Sequence, residues 1–147
     1  MVNSPIWVAI VELPDSFGRL RVESELEGFG FLGRLDRDWR SGDNRFDLPG
    51  EQLLGAFVEN RLVAIGGLNR DPYVTDGETA RLRHMYVSKD YRLTGVGRAL
   101  VDQLLERAKG VFSKVHLRTD TNQASAFYLR CGFASVLNET ATHVRVI

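Results

Sequence analysis

The sequence predicts an α/β fold, with one mixed, mostly antiparallel β-sheet flanked by helices. The first observation is size, because 147 residues with 44% hydrophobic content can bury one core. The second is that short β-branched runs alternate with stretches whose apolar residues recur every three or four positions. The third is a strand–helix–strand unit over residues 80–119, whose two strands should run parallel. No internal repeat or linker interrupts the chain, so residues 1–147 are expected to form a single domain.

The amino-terminal third predicts one strand followed by two helices. Residues 6–13 are rich in β-branched and aromatic side chains and end at a proline, which is typical of a strand. An amphipathic helix is expected after a cap at Asp15 or Ser16, and it should end at a glycine, either residue 28 or residue 30. Residues 31–50 mix charges, aromatic side chains and turn formers, which indicates a short helix and a long loop.

The middle of the chain predicts three strands. Residues 52–59 and 61–68 are apolar runs joined by a short polar turn, and they should form a hairpin. Turn-forming residues then lead into a strand over residues 80–87. Because side chains alternate along a strand, this strand should present two faces. One face carries Leu82, His84 and Tyr86, and the other carries Arg83, Met85 and Val87.

The carboxy-terminal third predicts two helices and two strands. Residues 95–109 carry a broad apolar face and end at Gly110, so they should form a helix that lies on the sheet. Residues 114–119 are the parallel partner strand, and a second helix should follow with Asn122 as its cap. The alternating tail, residues 141–147, is predicted to be a final edge strand. An exposed edge can pair with a second copy, so a homodimer and a monomer both fit this pattern.

Composition argues against several classes of function. The chain balances 19 Lys and Arg against 19 Asp and Glu, which argues against a nucleic-acid-binding surface. Cys131 is the single cysteine and should be a buried apolar residue, and no Cys/His cluster has metal-site spacing. No apolar run approaches the roughly 18 residues that cross a bilayer, and no leader-like segment is visible. We therefore expect a cytoplasmic protein without a metal and without a nucleic-acid or membrane partner.

Residues 92–98, with the sequence RLTGVGR, place two glycines at the start of a predicted helix. A helix amino terminus presents unpaired N–H groups and the positive end of a dipole, so it binds anions. Gly95 and Gly97 would let the backbone approach such an anion, because neither has a Cβ. Residues 81–98 also hold five basic residues against one acidic residue. The alternative is that both glycines only shape a tight turn; the GxxxxGK[ST] and GxGxxG nucleotide motifs are absent.

This segment resembles the R/Q-x-x-G-x-G/A signature of the GNAT superfamily of acyl-CoA-dependent N-acyltransferases. A second segment, NQASAFYLRCGF over residues 122–133, is similar to the family's pattern of Asn, Ala, Phe-Tyr and Gly-Phe. The two segments lie in the family's order, and the resemblance extends over residues 50–135. It implies a GNAT-like fold and an N-acetyltransferase. Such an enzyme would pass acetyl from acetyl-CoA directly to a primary amine of a small molecule or peptide in a ternary complex.

The resemblance also implies how acetyl-CoA would be bound. Backbone amides of residues 93–98 would hold the pyrophosphate, with the side chains of Arg92 and Arg98 near the phosphates. The backbone of Met85 and Val87 would pair with the pantetheine arm as an added strand would. Asn122 would hydrogen-bond to the same arm. The implied cofactor-binding residues are Met85, Val87, Arg92, Leu93, Thr94, Gly95, Val96, Gly97, Arg98, Asn122 and Tyr128.

The same resemblance implies catalytic roles. The Met85 amide would polarise the thioester carbonyl, and Tyr128, near the sulfur, would protonate the leaving thiolate as general acid. Tyr128 also lies on an apolar helical stripe, so a core role is its alternative. Many family members carry a glutamate base where this chain has Arg81. Glu78 and His84 are the candidates for that base, directly or through water, and deprotonation by solvent is a third possibility.

The acceptor is the least defined part of this interpretation. By analogy, residues 25–48 should cover it, and acidic and aromatic side chains there could attract and contact an amine. These side chains are Asp36, Asp38, Asp43, Asp47, Trp39 and Phe46. Four arginines in the same region favour a surface network of ion pairs instead. Because the strand glutamate is missing, the alternative function is a non-catalytic GNAT-fold module that binds acyl-CoA as a sensor or interaction domain.

Overall fold

The fold consists of a seven-stranded sheet with four α-helices, seen in a computed structural model that describes residues 4–147. In chain order the elements are β1 (Ile6–Ala9), α1 (Phe17–Leu26), α2 (Phe31–Ser41), β2 (Gln52–Val58), β3 (Arg61–Arg70), β4 (Thr79–Val87), a 3₁₀ turn (Lys89–Tyr91), α3 (Val96–Ala108), β5 (Lys114–Leu117), α4 (Asn122–Arg130), β6 (Ala134–Ser135) and β7 (His143–Val146).

The sheet runs in the order β1-β2-β3-β4-β5-β7-β6. Neighbouring strands are antiparallel except β4 and β5, which are parallel and joined through α3. The predicted α/β class, the mixed sheet and the parallel unit over residues 80–119 are therefore confirmed.

Two hydrophobic clusters lie on the two faces of this sheet. On one face α3 packs through its predicted apolar stripe, which is buried along its whole length: Val96, Leu100, Val101, Leu104, Leu105 and Ala108. On the other face α1 and α2 pack through side chains such as Leu20, Leu32 and Leu35. Burying a side chain of this size stabilises a fold by about 1.5–3 kcal/mol, so these clusters hold the sheet and helices together.

A β-bulge in β4 overturns the predicted alternation of that strand. Tyr86 pairs with Ile65 of β3 and Arg83 pairs with Gly67, so two β4 residues oppose a single β3 residue. His84, in the bulge, has a positive φ of 59°. The extra residue shifts the two-residue period. Leu82 therefore packs on the α3 side while Tyr86 packs on the α1 and α2 side, and the prediction that they share a face is wrong.

The carboxy-terminal tail is not the edge strand that its alternation predicts. β7 lies between β5 and β6 and pairs with both. The sequence prediction missed β6 because it has only two residues, Ala134 and Ser135, too few to show a period. The argument for a homodimer through a free tail edge is therefore wrong, and the oligomeric state stays a prediction.

Smaller differences concern the ends of elements. β1 ends at Ala9, four residues before the predicted end of the first strand. Thr121, not Asn122, caps α4, because its Oγ1 accepts a hydrogen bond from the Ala124 amide at 3.1 Å.

Among the described residues no helix is long and apolar enough to cross a membrane.

Candidate active site

A wedge opens between β4 and β5. The two strands pair where Thr79–Arg81 meets Lys114–His116, and β4 then continues to Val87 with no partner on that side among residues 4–147. The Ser88 amide donates to the Val63 carbonyl of β3 at 2.8 Å. Because backbone groups alternate in direction along a strand, the amide and carbonyl of Val87 point away from β3 into the wedge. An extended ligand can therefore bind to β4 as an added strand would.

The glycine-bearing turn lies between the end of β4 and α3. Leu93 has a φ of 61° and is fully exposed, and Gly95, at the N-cap of α3, has a φ of 86°. A Cβ on Gly95 would meet nothing within 4 Å, so the positive φ is what requires glycine there. No side chain of the described residues caps α3, and no acidic residue lies in its first turn. Its first N–H groups are thus free to bind an anion.

Gly97 has a different role from Gly95. A Cβ at Gly97 would lie 3.2 Å from a ring carbon of Phe127 and 3.5 Å from the side chain of Val87. The residue therefore allows α3, α4 and β4 to approach one another closely beside the wedge. The missing side chain of Gly97 thus serves packing, and its amide, in the first turn of α3, stays a predicted anion contact.

The two arginines of the motif already have partners within the chain. Arg92 donates to both carboxylate oxygens of Glu27 and, from Nε, to the Val87 carbonyl at 3.0 Å. Arg98 donates to the Arg130 carbonyl at 2.9 Å, at the end of α4. Both side chains are held by partners within the chain, and their contact with phosphates stays a prediction. Glu27 lies outside both motifs, and Arg130 lies inside the second segment but is not one of its matched positions, so no local signal predicted these contacts.

Two carboxylates, one on α1 and one directly after its end, reach the end of β4. The Tyr86 hydroxyl donates to Glu23 at 2.7 Å and also to Glu27, and Ser88 Oγ donates to Glu23 at 2.9 Å. The hydrogen bonds from Arg92 and Tyr86 lower the pKa of Glu27 to about 2. Burial and the two carboxylates raise the pKa of Tyr86. These hydrogen bonds connect α1 to the end of β4 beside the wedge and to Arg92, which precedes the glycine-bearing turn.

Tyr128 lies on α4, packed against the α3-side cluster together with Met85, Val87 and Phe127. Its ring contacts Phe127, Phe133 and His143 at centroid distances of 5.1, 5.8 and 6.5 Å. Within residues 4–147 its hydroxyl makes no hydrogen bond, and burial raises the pKa of the phenol. Asn122 is at the exposed start of α4, about 1.7 helical turns before Tyr128. Tyr128 therefore packs in the same cluster as Met85 and Val87 of β4, the strand that borders the wedge.

The two candidate bases lie in unfavourable places. His84 is buried in the bulge, and neither of its ring nitrogens has a hydrogen-bond partner among the described residues. Burial, followed by the charges of Arg83 and Arg34, lowers the pKa of His84 to about 3, so it is a very weak base. Glu78 precedes β4 and is exposed, seven residues or about 23 Å of strand from Met85. Neither position suits a base at the open part of the wedge.

An Asp–His pair that the sequence did not reveal lies at the closed end of the wedge. His116 Nδ1 lies 3.2 Å from Asp71 Oδ2, and both residues are buried. Arg81 lies opposite His116 in the last β4–β5 pair, contacts Asp71 at 3.5 Å and donates to the Thr140 carbonyl at 2.8 Å. These residues come from a loop and two strands, so only the fold brings them together. Among residues 4–147 no cluster could hold a metal ion.

The side chains predicted to cover an acceptor divide into three groups. Trp39 and Phe46 are buried core residues of the α1 and α2 side, which corrects the expectation that they contact a ligand. Asp36 pairs with Arg21 and Arg40, as the surface-network alternative predicts. The other three acids line a cavity of about 490 Å³: Asp38, Asp43 and Asp47.

Comparison with known proteins gives consistent results. Residues 15–133 match the sequence model of the Acetyltransferase (GNAT) family. A proposed acetyltransferase from Exiguobacterium sp. 255-15 is 27% identical, with a TM-score of 0.86 and coverage of 98% of this chain and 94% of that one. A GNAT family N-acetyltransferase from Escherichia coli, in complex with CoA, is 17% identical with a TM-score of 0.69. That match covers 99% of this chain and 83% of the Escherichia coli chain. Glucosamine-6-phosphate N-acetyltransferase from Arabidopsis thaliana is 17% identical with a TM-score of 0.65, and the match covers 95% of this chain and 98% of the plant chain.

Proposed function

The chain belongs to the Acetyltransferase (GNAT) family, and on that premise we propose that it is an acetyl-CoA-dependent N-acetyltransferase. It transfers the acetyl group directly to a primary amine within a ternary complex. The observation that carries this proposal is the continuity of the wedge with the positive-φ turn. One extended ligand can pair with Val87 and then place a phosphate on the free amides at the start of α3. Acetyl-CoA has this combination of an amide-bearing arm and a pyrophosphate.

Cofactor binding would use backbone groups more than side chains. The amides of residues 93–98, which include Leu93, Thr94, Val96 and Gly97, hold the pyrophosphate. The Val87 amide pairs with the pantetheine, whereas the Val87 carbonyl is taken by Arg92 as long as Arg92 keeps its contact with Glu27. Asn122 contacts the pantetheine from α4. Arg92 and Arg98 contribute positive charge near the phosphates only after they exchange their present partners.

The chemistry needs stabilisation of negative charge and two proton transfers. The thioester carbonyl oxygen becomes negative as the amine attacks, and the Met85 amide beside the bulge donates to it, since a bulge leaves ladder groups unpaired. The C–S bond then breaks, and Tyr128 passes its proton to the CoA thiolate. The raised pKa of Tyr128 keeps it protonated until that step.

The amine must also lose a proton, and His116 is the base that the geometry supports. Asp71 binds its Nδ1, which directs the other ring nitrogen, Nε2, away from Asp71. His116 lies beside Arg81, the position where the family carries glutamate. Met85 is four residues or about 13 Å further along β4, so the proton travels through water.

A non-catalytic acyl-CoA-binding module is the second candidate. The observation that favours it is the ion pair of Arg81 with Asp71, which puts a paired cation where the family carries a carboxylate. Turnover distinguishes the two candidates, because only an enzyme releases CoA thiol when amines are supplied.

Calorimetric titration with acetyl-CoA tests the cofactor site. Leu93 is fully exposed with a positive φ, which both Asn and Asp tolerate, so Leu93→Asp and Leu93→Asn differ only in charge at the turn. We expect Leu93→Asp to weaken binding about tenfold or more through repulsion of the pyrophosphate, and Leu93→Asn to change it less than about threefold. Equal effects of the two variants, or no binding by the wild type, would contradict the proposal.

A further inference from the structure

We propose that the amine acceptor carries a carboxylate or phosphate close to its amine, and that Arg83 binds this anionic group. The proposal rests on the proposed function and defines the class of its second substrate. Its site is a solvent-open cavity of about 490 Å³ between the loop that follows α2, the end of β3 and the middle of β4. We call this space the Arg83 cavity.

Arg83 has no counter-ion of its own. Within residues 4–147 it donates no hydrogen bond and forms no ion pair within 4 Å, although it is half-buried. Burial, followed by the charge of Arg81, lowers its pKa, and Arg34 acts in the same direction, while Asp38 opposes them. Arg81 is already bound to Asp71 and to the Thr140 carbonyl. A half-buried guanidinium without a hydrogen-bond partner is destabilising, and a bound anion would remove that cost.

Asn69 provides a second polar group in the same cavity. The residue is 8% exposed, and its Oδ1 has no hydrogen-bond partner among the described residues. Buried polar atoms of this kind are normally paired in a folded protein, so a donor on a ligand is the expected partner. The Arg83 guanidinium can donate to an anionic group of a ligand, and the unpaired Asn69 Oδ1 can accept from an N–H or O–H beside that group.

The charges around the cavity also suit an amine at the other end of the ligand. The Glu51 carboxylate accepts hydrogen bonds from the Leu48 and Arg70 amides, and Arg45 donates to the Trp39 carbonyl. Three lining acids have no side-chain partner within the described chain, namely Asp38, Asp43 and Asp47. These acids would attract a molecule that carries an ammonium group as well as an anion, such as an amino acid or an aminoalkyl phosphate, before its amine reaches the wedge.

Arg83 is close enough to the wedge for one small molecule to reach both. It lies two residues before Met85 on β4, with the His84 bulge between them, so their backbones are at most about 7 Å apart. The Met85 side chain packs with the α3-side cluster, whereas Arg83 lines the cavity beside α2, so the ligand has to reach the backbone amide of Met85. An acceptor whose anion and amine are two to four carbons apart spans a distance of this size.

The test is a comparison of matched amines, measured by release of CoA thiol. β-Alanine and 2-aminoethyl phosphate carry the anion, ethanolamine and β-alaninamide lack it, and each set is extended to four carbons. We expect the wild type to prefer one anionic series in kcat/KM by about tenfold or more. Arg83→Gln should lose that preference mainly through KM, and Arg83→Lys should keep part of it. Arg107→Gln, on the exposed side of α3, is the matched control and should keep it all.

The outcomes separate this proposal from the proposed function. A higher kcat/KM for the carboxylate series would identify a carboxylate as the group that Arg83 binds, and a higher kcat/KM for the phosphate series would identify a phosphate. Equal or better use of uncharged amines, or an Arg83→Gln protein with the wild-type preference, overturns the Arg83 proposal while acetyl transfer stands. The Arg83 proposal is also overturned if, at concentrations up to about 10 mM, none of the anionic amines is acetylated and none binds to the protein–acetyl-CoA complex. Failure of the wild type to bind acetyl-CoA contradicts the proposed function itself. Acetyl-CoA affinity and melting temperature should be unchanged or raised in Arg83→Gln.

Discussion

Two tyrosine hydroxyls near the wedge differ in what holds their protons. Tyr86 donates to the carboxylates of Glu23 and Glu27, so its proton is committed to the α1 network. Tyr128 is packed among aromatic rings and makes no hydrogen bond within residues 4–147. Burial raises the pKa of both phenols. Of the two, only Tyr128 has a proton that a leaving thiolate could take without breaking an existing contact.

Replacing Tyr128 with phenylalanine tests this role. We expect Tyr128→Phe to lower kcat about 10²-fold or more, because the thiolate then leaves without a proton donor. The dissociation constant for acetyl-CoA, measured by calorimetry, should change little, since the ring and its contacts are kept. Tyr86→Phe is the comparison variant. An unchanged kcat in Tyr128→Phe would assign the residue to the core alone.

The Asp71–His116 pair makes a prediction about turnover. We expect His116→Gln to lower kcat/KM about 10²-fold near neutral pH, because no imidazole then takes the proton of the amine. The charged groups nearest this ring are Asp71 and Arg81, and both are kept in the variant. The melting temperature reports structural damage separately. A kcat/KM close to the wild-type value would contradict a catalytic role.

At the scale of elements, α1 acts as a brace between the end of β4 and the turn before α3. Glu23 accepts from Ser88 and from the Lys89 amide at 3.1 Å, and Glu27 binds Arg92. The helix itself has no side-chain cap and offers only three buried residues to the core. Its position therefore depends on these two carboxylates as well as on apolar packing.

This bracing predicts a stability change at low pH. The pKa of Glu27 is lowered from 4.5 to about 2 in the folded protein, so its contribution is present above pH 4.5 and is lost as the pH falls towards 2. We expect Glu27→Gln to reduce the free energy of unfolding by about 1 kcal/mol at pH 7, because solvent screens this partly exposed pair. In urea unfolding the difference from the wild type should shrink at pH 3. Glu106→Gln, paired only with Lys109 on an exposed surface, should show no such trend.

At the scale of the whole molecule, local chemistry and long-range contacts specify different parts. The sequence by itself determined the α/β class, the parallel strand–helix–strand unit, the apolar stripe of α3 and the glycine turn at residues 92–98. These features depend on periodicity and on backbone preferences within about a dozen neighbouring residues, so they can be predicted from the chain alone.

Only the tertiary structure decided how the strands meet and which side chains share a site. The bulge at His84 reverses the facing of β4, and the two-residue β6 moves the tail away from the edge. Asp71 and His116 are 45 residues apart, and Glu27 and Arg92 are 65 apart. Strand register and ion pairs between distant segments depend on the packing of the whole chain. No local pattern records them, which is why the glycine turn was predictable from the sequence whereas the Asp71–His116 pair and the Arg83 cavity were not.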